Sequence, residues 1–222
     1  MRYLGSKTLL LDKIAQIVEE FNGKGVFCDP FGGIGTVGGY MKNLGFSVIT
    51  GDILNFAHYF QMALIENNDQ ERFYELKMHY NMQNLGDIEN YLSQIAVLKG
   101  WIISEYAQKR HFFTYENACH IQGCLDSIIQ WKAEGLLDDM EYAILIASLI
   151  QSFDNVANTA GTYYAYLKEY YRKAKKAFEF KLLEPVIGSN ACKSYLMDAN
   201  ELVKLISCDV LYLDPPYNER DY

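Results

Sequence analysis

The sequence predicts an α/β fold in which a parallel sheet is interrupted by a long, mostly helical insertion. Residues 26–52 alternate strand, glycine-rich loop, helix and strand, residues 57–183 carry helical periodicity, and the strand pattern returns in residues 184–222. Such alternation is typical of a doubly wound sheet. We therefore expect one α/β domain formed by residues 1–56 and 184–222, with residues 57–183 as a helical subdomain inserted between its two parts.

The first part of the α/β domain is delimited by glycines. Apolar residues at helical spacing predict a first helix, which Gly23 and Gly25 end. A short apolar run closed by Asp29-Pro30 then predicts a buried strand, and Gly45 ends the helix that follows the glycine-rich loop. The expected elements are a helix over residues 7–21, a strand over 26–28, a helix over 36–44 and a strand over 46–50.

The insertion and the last part of the chain are assigned from the same patterns. The most apolar run of the insertion, residues 142–153, is too short to span a bilayer and predicts a core helix. The other expected elements are a helix over residues 163–178, strands over 191–196 and 209–213, and a helix over 199–206 between those strands.

Composition narrows the class of protein. Of 222 residues, 50% are hydrophobic and 22% are charged, which is typical of a globular protein and argues against extended disorder. The formal net charge of −8 argues against a uniformly basic nucleic-acid binder, although a local basic face remains compatible with it. No signal peptide, targeting segment or transmembrane segment is visible.

The five cysteines indicate a reducing compartment. Their number is odd and no pair has CxxC spacing, so a disulfide framework is not expected and a cytoplasmic location is the simpler interpretation. Cys119, His120 and Cys124 fit no zinc pattern and fall in a helical stretch. We therefore expect no metal site.

The loop after the first strand predicts a nucleoside-containing cofactor. Residues 33–38 match GxGxxG, and Asp52 follows Gly33 by 19 residues. Glycines let a ligand approach the backbone, a helix N-terminus offers free N–H groups, and a carboxylate at the end of the next strand can accept hydrogen bonds from ribose hydroxyls. By itself this motif also fits a nicotinamide-dependent oxidoreductase.

Three segments select among such cofactors. Residues 29–36 read DPFGGIGT, residues 214–217 read DPPY, and residues 2–7 read RYLGSK. The first resembles the cofactor motif, the second the catalytic motif and the third the N-terminal motif of Dam-like adenine-specific (N6) DNA methyltransferases. Along the chain, the cofactor motif precedes the insertion and the catalytic motif follows it, which is the α-group motif order. The resemblance implies a partial S-adenosylmethionine-dependent methyltransferase sheet of Rossmann-like type, with strand order 3-2-1-4-5-7-6 when complete. It also implies that the insertion is the DNA target-recognition region.

The resemblance assigns catalysis to Asp214, Pro215, Pro216 and Tyr217. The exocyclic amine of adenine is a weak nucleophile because its lone pair is delocalised into the ring. The Asp214 carboxylate and the Pro215 carbonyl would accept its two N–H groups, and Pro216 would hold that carbonyl rigidly. Tyr217 would stack on the adenine after it has left the duplex. A covalent adduct is not expected, because no cysteine follows a proline.

The resemblance also assigns cofactor contacts. The glycine loop would pass beneath the methionine part of S-adenosylmethionine, with Asp29, Tyr3 and Lys7 near its amino and carboxylate groups. Asp52 would hold the ribose and Asp198 the adenine amine. Alternatively, Asp29 caps the loop, Asp198 caps the following helix, or Tyr3 has no role. The full set is Tyr3, Lys7, Asp29, Pro30, Phe31, Gly32, Gly33, Gly35, Thr36, Asp52, Ile53, Asp198 and Ala199.

An acidic protein that acts on DNA needs a local basic surface. The run over residues 168–176 interleaves tyrosines with Lys168, Arg172, Lys173, Lys175 and Lys176, which are the expected contacts to the DNA backbone. Its alternative role is an ordinary solvated helix face. The expected partners are double-stranded DNA and, if the protein serves a bacterial or phage modification system, a cognate restriction endonuclease.

The chain departs from the family in stopping after DPPY, where members continue with further strands and helices. We therefore expect the fourth strand to be an exposed edge and the chain by itself to be inactive or poorly active, whether the cause is truncation, a second chain or a naturally short form. Competing functions are methylation of cytosine N4 or of RNA adenine, and a cofactor- or DNA-binding fragment without catalysis.

Overall fold

In the computed structural model, residues 7–22, 25–160, 163 and 165–216 are described. The chain divides into two compact units: an α/β unit, Leu4–Gln70 with Glu184–Tyr222, and a helical unit that contains Glu71–Leu183. The α/β unit extends to Gln70, beyond the boundary expected at residue 56, because the helical turns that follow the second strand pack on the sheet.

The α/β unit contains a parallel four-stranded sheet. Its strands are β1 (Val26–Asp29), β2 (Ser47–Asp52), β3 (Lys193–Leu196) and β4 (Val210–Leu211). Their order is β3-β2-β1-β4, as expected for the first four strands of the methyltransferase sheet. β4 is shorter than the expected 209–213, but contacts to β1 flank it on both sides. The Asp209 N–H donates to the Val26 carbonyl at 2.9 Å while the Asp209 carboxylate accepts the Val26 N–H at 2.7 Å, and the Tyr212 N–H donates to the Cys28 carbonyl at 2.8 Å.

The helices lie mostly near the expected positions. The α-helices are α1 (Leu11–Asn22), α2 (Thr36–Asn43), α3 (Asn55–Gln61), α4 (Tyr74–His79), α5 (Leu85–Gln94), α6 (Tyr115–Ala133), α7 (Asp139–Asp154) and α8 (Ala199–Leu205). A 3₁₀ turn (Thr8–Leu10) precedes α1, so the expected first helix begins later than residue 7. One π-helical turn (Met62–Glu66) follows α3 and another (Ile103–Lys109) precedes α6. None of these helices is long and apolar enough to cross a membrane within the described ranges.

The core of the α/β unit lies between β1, β2 and α2. Phe27 and Val48 on the strands, Met41 on α2 and Ile65 on the π-helical turn are buried together. Gly38 lets α2 approach closely, because a Cβ there would lie 2.7 Å from Ile65 Cδ1. This packing fixes α2 against the sheet, and therefore fixes the glycine loop that precedes α2.

The helical unit is built around α5, α6 and α7. Asn84 and Asp138 begin α5 and α7 with reciprocal capping boxes, and Trp131 on α6 is buried and donates to the Tyr80 hydroxyl at 2.9 Å. Cys119 and Cys124 are buried on α6, where Cys124 Sγ lies 2.8 Å from the Leu92 carbonyl oxygen. These cysteines therefore pack in the interior of the unit.

The helix expected over residues 163–178 is wrong, since the described residues there form turns and extended chain. Their backbone groups bond to side chains from elsewhere in the unit. Asn117 on α6 donates to the carbonyls of Ala174 and Lys176 at 3.3 and 2.9 Å, and accepts the Phe178 N–H at 2.9 Å. Because these partners replace helical hydrogen bonds, tertiary contacts override the local periodicity.

Candidate active site at the carboxyl ends of the strands

Three carboxylates follow or end three neighbouring strands. Asp29 ends β1, Asp52 ends β2, and Asp214 lies shortly after β4. Since the strands are parallel, these side chains belong to one edge of the sheet, which is where open α/β sheets bind ligands. Electrostatic repulsion from Asp214 and Asp52 acts on Asp29, so the three carboxylates form one cluster.

The glycine loop is held tightly against this edge. The Gly32 N–H donates to the Gly51 carbonyl at 2.9 Å, and the Gly35 N–H donates to the Gly32 carbonyl at 2.9 Å. Gly33 and Gly35 have φ values of +51° and +80°, which side chains rarely adopt. The loop therefore needs glycine for its backbone conformation, and it leads directly into α2 at Thr36.

Asp52 connects the glycine loop to the second strand. Its Oδ2 accepts the Gly33 N–H at 3.1 Å, and its Oδ1 accepts the Leu54 N–H at 2.9 Å. A carboxylate offers about four lone-pair positions, so each oxygen retains capacity for a further donor. Ile53, the next residue, has 67% of its surface exposed, so an apolar side chain lies open to solvent beside this carboxylate.

Asp29 is a buried acid. Only 2% of its surface is exposed, and burial raises its pKa to about 7, with repulsion from Asp214 and Asp52 adding to the effect. The Phe31 N–H, which donates to Oδ1 at 3.2 Å, and the Lys7 ammonium oppose the shift. Asp29 therefore has the loop-capping role considered from the sequence, through its contact with the Phe31 N–H. The carboxyl group that caps the loop has a pKa near neutral pH.

Lys7 contacts the DPPY motif through Asp214. Its Nζ lies 2.5 Å from Asp214 Oδ2, and the two side chains have 21% and 16% of their surface exposed. The resemblance assigned Lys7 to the carboxylate or amino group of the cofactor, whereas here its ammonium pairs with the side chain expected to accept the adenine amine. Pro215 and Pro216 follow Asp214 and are exposed.

Asp198 is the N-cap of α8, which is one of the two roles expected for it from the sequence. Its Oδ1 accepts the Asn200 N–H at 2.8 Å, and the side chain is exposed. The Met197 N–H donates to the Asp52 carbonyl at 3.0 Å, which joins the end of β3 to the end of β2. Ala199 is buried at the start of α8. The Asn200 side-chain amide also donates to Oδ1, at 3.1 Å, and since a carboxylate offers about four lone-pair positions, these two donors do not exhaust the acceptor capacity of Asp198.

Gln61 and Thr50 support the loop from the interior, and the sequence reasoning missed both. The Gln61 amide donates to the Gly33 carbonyl at 2.9 Å and to the Gly51 carbonyl at 3.4 Å. A Cβ on Gly32 would overlap Thr50 Oγ1 and lie 2.9 Å from Gln61 Nε2. The sequence signal was a glutamine on the apolar face of a helix and a threonine inside a buried strand.

The remaining expected cofactor residues have mixed surroundings. Pro30 is buried, while Phe31 and Thr36 are half-buried at the two ends of the glycine loop. Tyr3 and Tyr217 lie outside the described residues, so their expected contacts stay predictions.

Within the described part of the chain, no three His, Cys, Asp or Glu side chains are grouped so that they could hold a metal ion.

The basic run belongs to the helical unit. Lys168, Arg172, Lys175 and Lys176 are exposed, so they are open to an anionic partner. Lys173 is engaged inside the unit, where its Nζ donates to the Asp154 carbonyl at 2.5 Å and lies 3.8 Å from Asp154 Oδ2. The run is not helical, so the alternative of a solvated helix face does not describe it.

Comparison with known proteins defines the family. The chain is 38% identical over 231 aligned residues to the type II methyltransferase M.FokI of Planomicrobium okeanokoites, and 32% identical over 229 to the modification methylase StsI of Streptococcus sanguinis. All of the chain aligns in both cases, but it spans only 35% and 34% of those relatives. It is also 34% identical to M.NlaIII of Neisseria lactamica, with 100% of the chain and 66% of that relative aligned. No solved structure matches the chain significantly.

The comparison with family models supports the same class of protein as the relatives do. The model that describes the D12 class N6 adenine-specific DNA methyltransferases matches residues 3–222, which includes both the glycine loop and the DPPY motif. The chain therefore belongs to the D12 class of N6 adenine-specific DNA methyltransferases.

Proposed function

We propose that this protein transfers a methyl group from S-adenosylmethionine to N6 of adenine in double-stranded DNA, at a specific site. The observation that carries the proposal is the carboxylate cluster beside the glycine loop: Asp29 and Asp52 at the strand ends, and Asp214 with its two prolines. Family membership supports the reaction, and names of relatives such as modification methylase StsI support a role in DNA modification.

The residues at the sheet edge fit S-adenosylmethionine chemically. That cofactor has ribose hydroxyls that donate hydrogen bonds and carries net positive charge, and it supplies an electrophilic methyl group on its sulfonium. Asp52 retains acceptor capacity on both carboxylate oxygens, and the acidic cluster favours a cation. We propose Asp52 for the ribose, exposed Ile53 for contact with the adenine ring, and Asp198 for the adenine amine.

The catalytic role of the DPPY motif follows from its acceptors. An ionised Asp214 is an acceptor only, and the Pro215 carbonyl offers a second acceptor with no competing donor. Pro216 restricts the conformation of Pro215 and so limits how its carbonyl moves. These groups would orient the amine of a flipped adenine for attack, so that positioning and electrostatics supply the acceleration. We propose Tyr217 as the residue that stacks on the base.

We propose that the helical unit contacts DNA. The exposed side chains of Lys168, Arg172, Lys175 and Lys176 provide a local positive surface on a protein with a formal net charge of −8. Lys173 is removed from this proposal because Asp154 holds it within the unit. If the protein protects DNA in a modification system, its functional partner would be a cognate restriction endonuclease.

The experiment is incubation of the purified full-length protein with methyl-labelled S-adenosylmethionine and mixed plasmid DNA. Nucleoside analysis and sequencing then identify the modified base and its site. Labelled N6-methyladenine is the expected product, and Asp214→Asn should abolish it while cofactor affinity measured by calorimetry is retained. Labelled N4-methylcytosine, label only in RNA, or cofactor binding without transfer by the wild type would each contradict the proposal.

A further inference from the structure

We propose that His111 is a specificity-determining residue, which reads the edge of one base pair in the DNA that the helical unit contacts. The inference rests on the proposed function and names a base contact that the basic run does not supply. The imidazole is exposed. Its ring centroid lies 5.8 Å from that of Tyr170, with the two planes 29° apart, and 6.0 Å from that of Tyr166. The side chain is therefore open to a partner and supported by two aromatic rings.

A buried asparagine ties His111 to the segment that carries the basic side chains. Asn158 is fully buried, and its Nδ2 donates to the His111 carbonyl and to the Leu167 carbonyl, both at 2.9 Å. Leu167 directly precedes the basic run. The Tyr170 hydroxyl donates to the Phe113 carbonyl at 2.8 Å, which anchors the stacked ring from its other end. These bonds hold the imidazole at one position relative to the start of the basic run.

Two of the cations near the imidazole are already occupied. Lys109 and Arg110 directly precede His111, and both pair with Glu105, at 2.5 and 3.6 Å. The Arg110 guanidinium also lies 4.5 Å from the centre of the Tyr106 ring. These two cations are therefore poor candidates for contacts to the DNA backbone.

The open cations lie in the basic run. Lys168 and Arg172 are exposed, and neither has an ion pair with any residue that the structure describes. Glu169 lies between them, so positive charge still prevails locally. Contacts to phosphates position a protein on DNA but carry no sequence information. The basic run by itself therefore accounts for affinity and leaves specificity to another group.

An imidazole has the polar groups that this other contact needs. A neutral ring carries one N–H donor and one acceptor nitrogen. Neither ring nitrogen of His111 has a hydrogen-bond partner among the described residues. Base pairs present donors and acceptors at their edges in the major groove, in a pattern that identifies each pair. Because the Tyr170 ring supports the imidazole plane, little side-chain entropy is lost when the imidazole bonds to a base edge.

The test compares His111→Ala with Lys168→Ala and with the matched control His79→Ala. His79 is also exposed in the helical unit and lies against a tyrosine, with its ring centroid 4.9 Å from that of Tyr80. The full-length wild type first selects its preferred sequence from a duplex library with a randomised centre, with S-adenosylhomocysteine present so that no methyl group is transferred. Binding constants are then measured at several salt concentrations, for that duplex and for each duplex with one base pair changed.

We expect His111→Ala to lower the preference for the selected base pair about tenfold at one position and to leave the other positions unchanged. Its slope of log K against log salt should equal that of the wild type, since no phosphate contact is lost. Lys168→Ala should weaken all duplexes alike and reduce the slope by about one, as expected for the loss of one phosphate contact. Tyr170→Leu should lower the preference at the same position as His111→Ala, and His79→Ala should match the wild type.

Three results for His111→Ala would overturn the inference. Equal weakening of every duplex with a smaller salt slope would make the imidazole a phosphate contact. Equal weakening with a lower midpoint of thermal unfolding would make its role structural. Unchanged binding to every duplex would mean that the imidazole does not contact DNA.

These measurements need no methyl transfer, so they separate the inference from the proposed function. If the full-length wild type transfers no methyl group, the proposed function fails, and the selected sequence still shows whether His111 reads a base pair. A wild type that selects no sequence from the library would overturn the inference even if it methylates DNA.

Discussion

The side-chain amide of Gln61 lies 2.9 Å from the carbonyl oxygen of Gly33 and donates a hydrogen bond to it. Gln61 is fully buried at the end of α3, so a residue outside the glycine-loop motif holds the loop backbone in position. The candidate cofactor site is therefore supported from inside the α/β unit as well as by the glycine loop itself.

We expect Gln61→Leu to weaken cofactor binding. The change keeps most of the volume but leaves the Gly33 carbonyl without this donor, and an unsatisfied buried carbonyl costs about 1–3 kcal/mol. The free energy of unfolding in urea should fall by about that amount, and S-adenosylmethionine affinity by calorimetry should fall about tenfold. Gln70→Leu, at an exposed glutamine, serves as the control. Unchanged affinity in Gln61→Leu would show that the loop does not depend on this bond.

Gly32 and Gly39 should respond in opposite ways to alanine. At Gly32 the new Cβ would overlap Thr50 Oγ1, so we expect Gly32→Ala to destabilise the protein by about 1–3 kcal/mol. At Gly39, inside α2, the nearest atom to a new Cβ is Val186 Cγ2 at 3.5 Å, so Gly39→Ala should stabilise by about 0.5–1 kcal/mol. Urea unfolding measures both, and Thr50→Ala should relieve part of the Gly32→Ala cost. Equal effects at the two glycines would refute the overlap.

Asp29 should make the ligand-free protein less stable as pH rises. Its folded pKa of about 7 exceeds the ordinary 3.8, so the folded state binds more protons between these values and the free energy of unfolding declines across that interval. The difference corresponds to a decline of up to about 4 kcal/mol. Asp29→Asn should remove this slope and be more stabilising at pH 8 than at pH 5, as measured by urea unfolding.

The matched control for that prediction is Asp139→Asn. Lys132 lowers the pKa of this exposed carboxyl, so it stays ionised from pH 5 to pH 8 and its replacement should leave the slope unchanged. A wild-type free energy of unfolding that does not decline between pH 5 and pH 8 relative to Asp29→Asn would contradict the raised pKa.

Asn117→Ala should destabilise residues 174–178, which lie in the irregular segment that follows α7. The change removes one acceptor and two donor contacts to the backbone of residues 174–178, so we expect a loss of about 2–3 kcal/mol in the free energy of unfolding. Amide hydrogen exchange at Phe178 should accelerate. Glu116→Ala, the exposed neighbour on α6, should cost only a few tenths of a kcal/mol. Similar losses in both variants would mean that Asn117 does not hold this segment.

The sequence predicted the sheet and the placement of Asp29 and Asp52 at the ends of its strands because these signals are local. The Asp29-Pro30 and Gly45 boundaries mark elements whose apolar pattern matches the sheet, and parallel pairing then brings Asp29 and Asp52 to one edge without further information. Residues 163–178 were assigned wrongly because helical spacing of apolar residues there competes with buried side chains that are distant in sequence.

By itself, the sequence determined the strand–loop–helix order, the requirement for glycine in the loop and the identity of the carboxylates, because each follows from backbone chemistry and residue type at one point of the chain. The tertiary structure alone decided that Lys7 pairs with Asp214, that Gln61 supports Gly33 and that Lys173 is occupied by Asp154. Each of these contacts joins residues at least 19 positions apart in the sequence, so its existence depends on packing that no local pattern encodes.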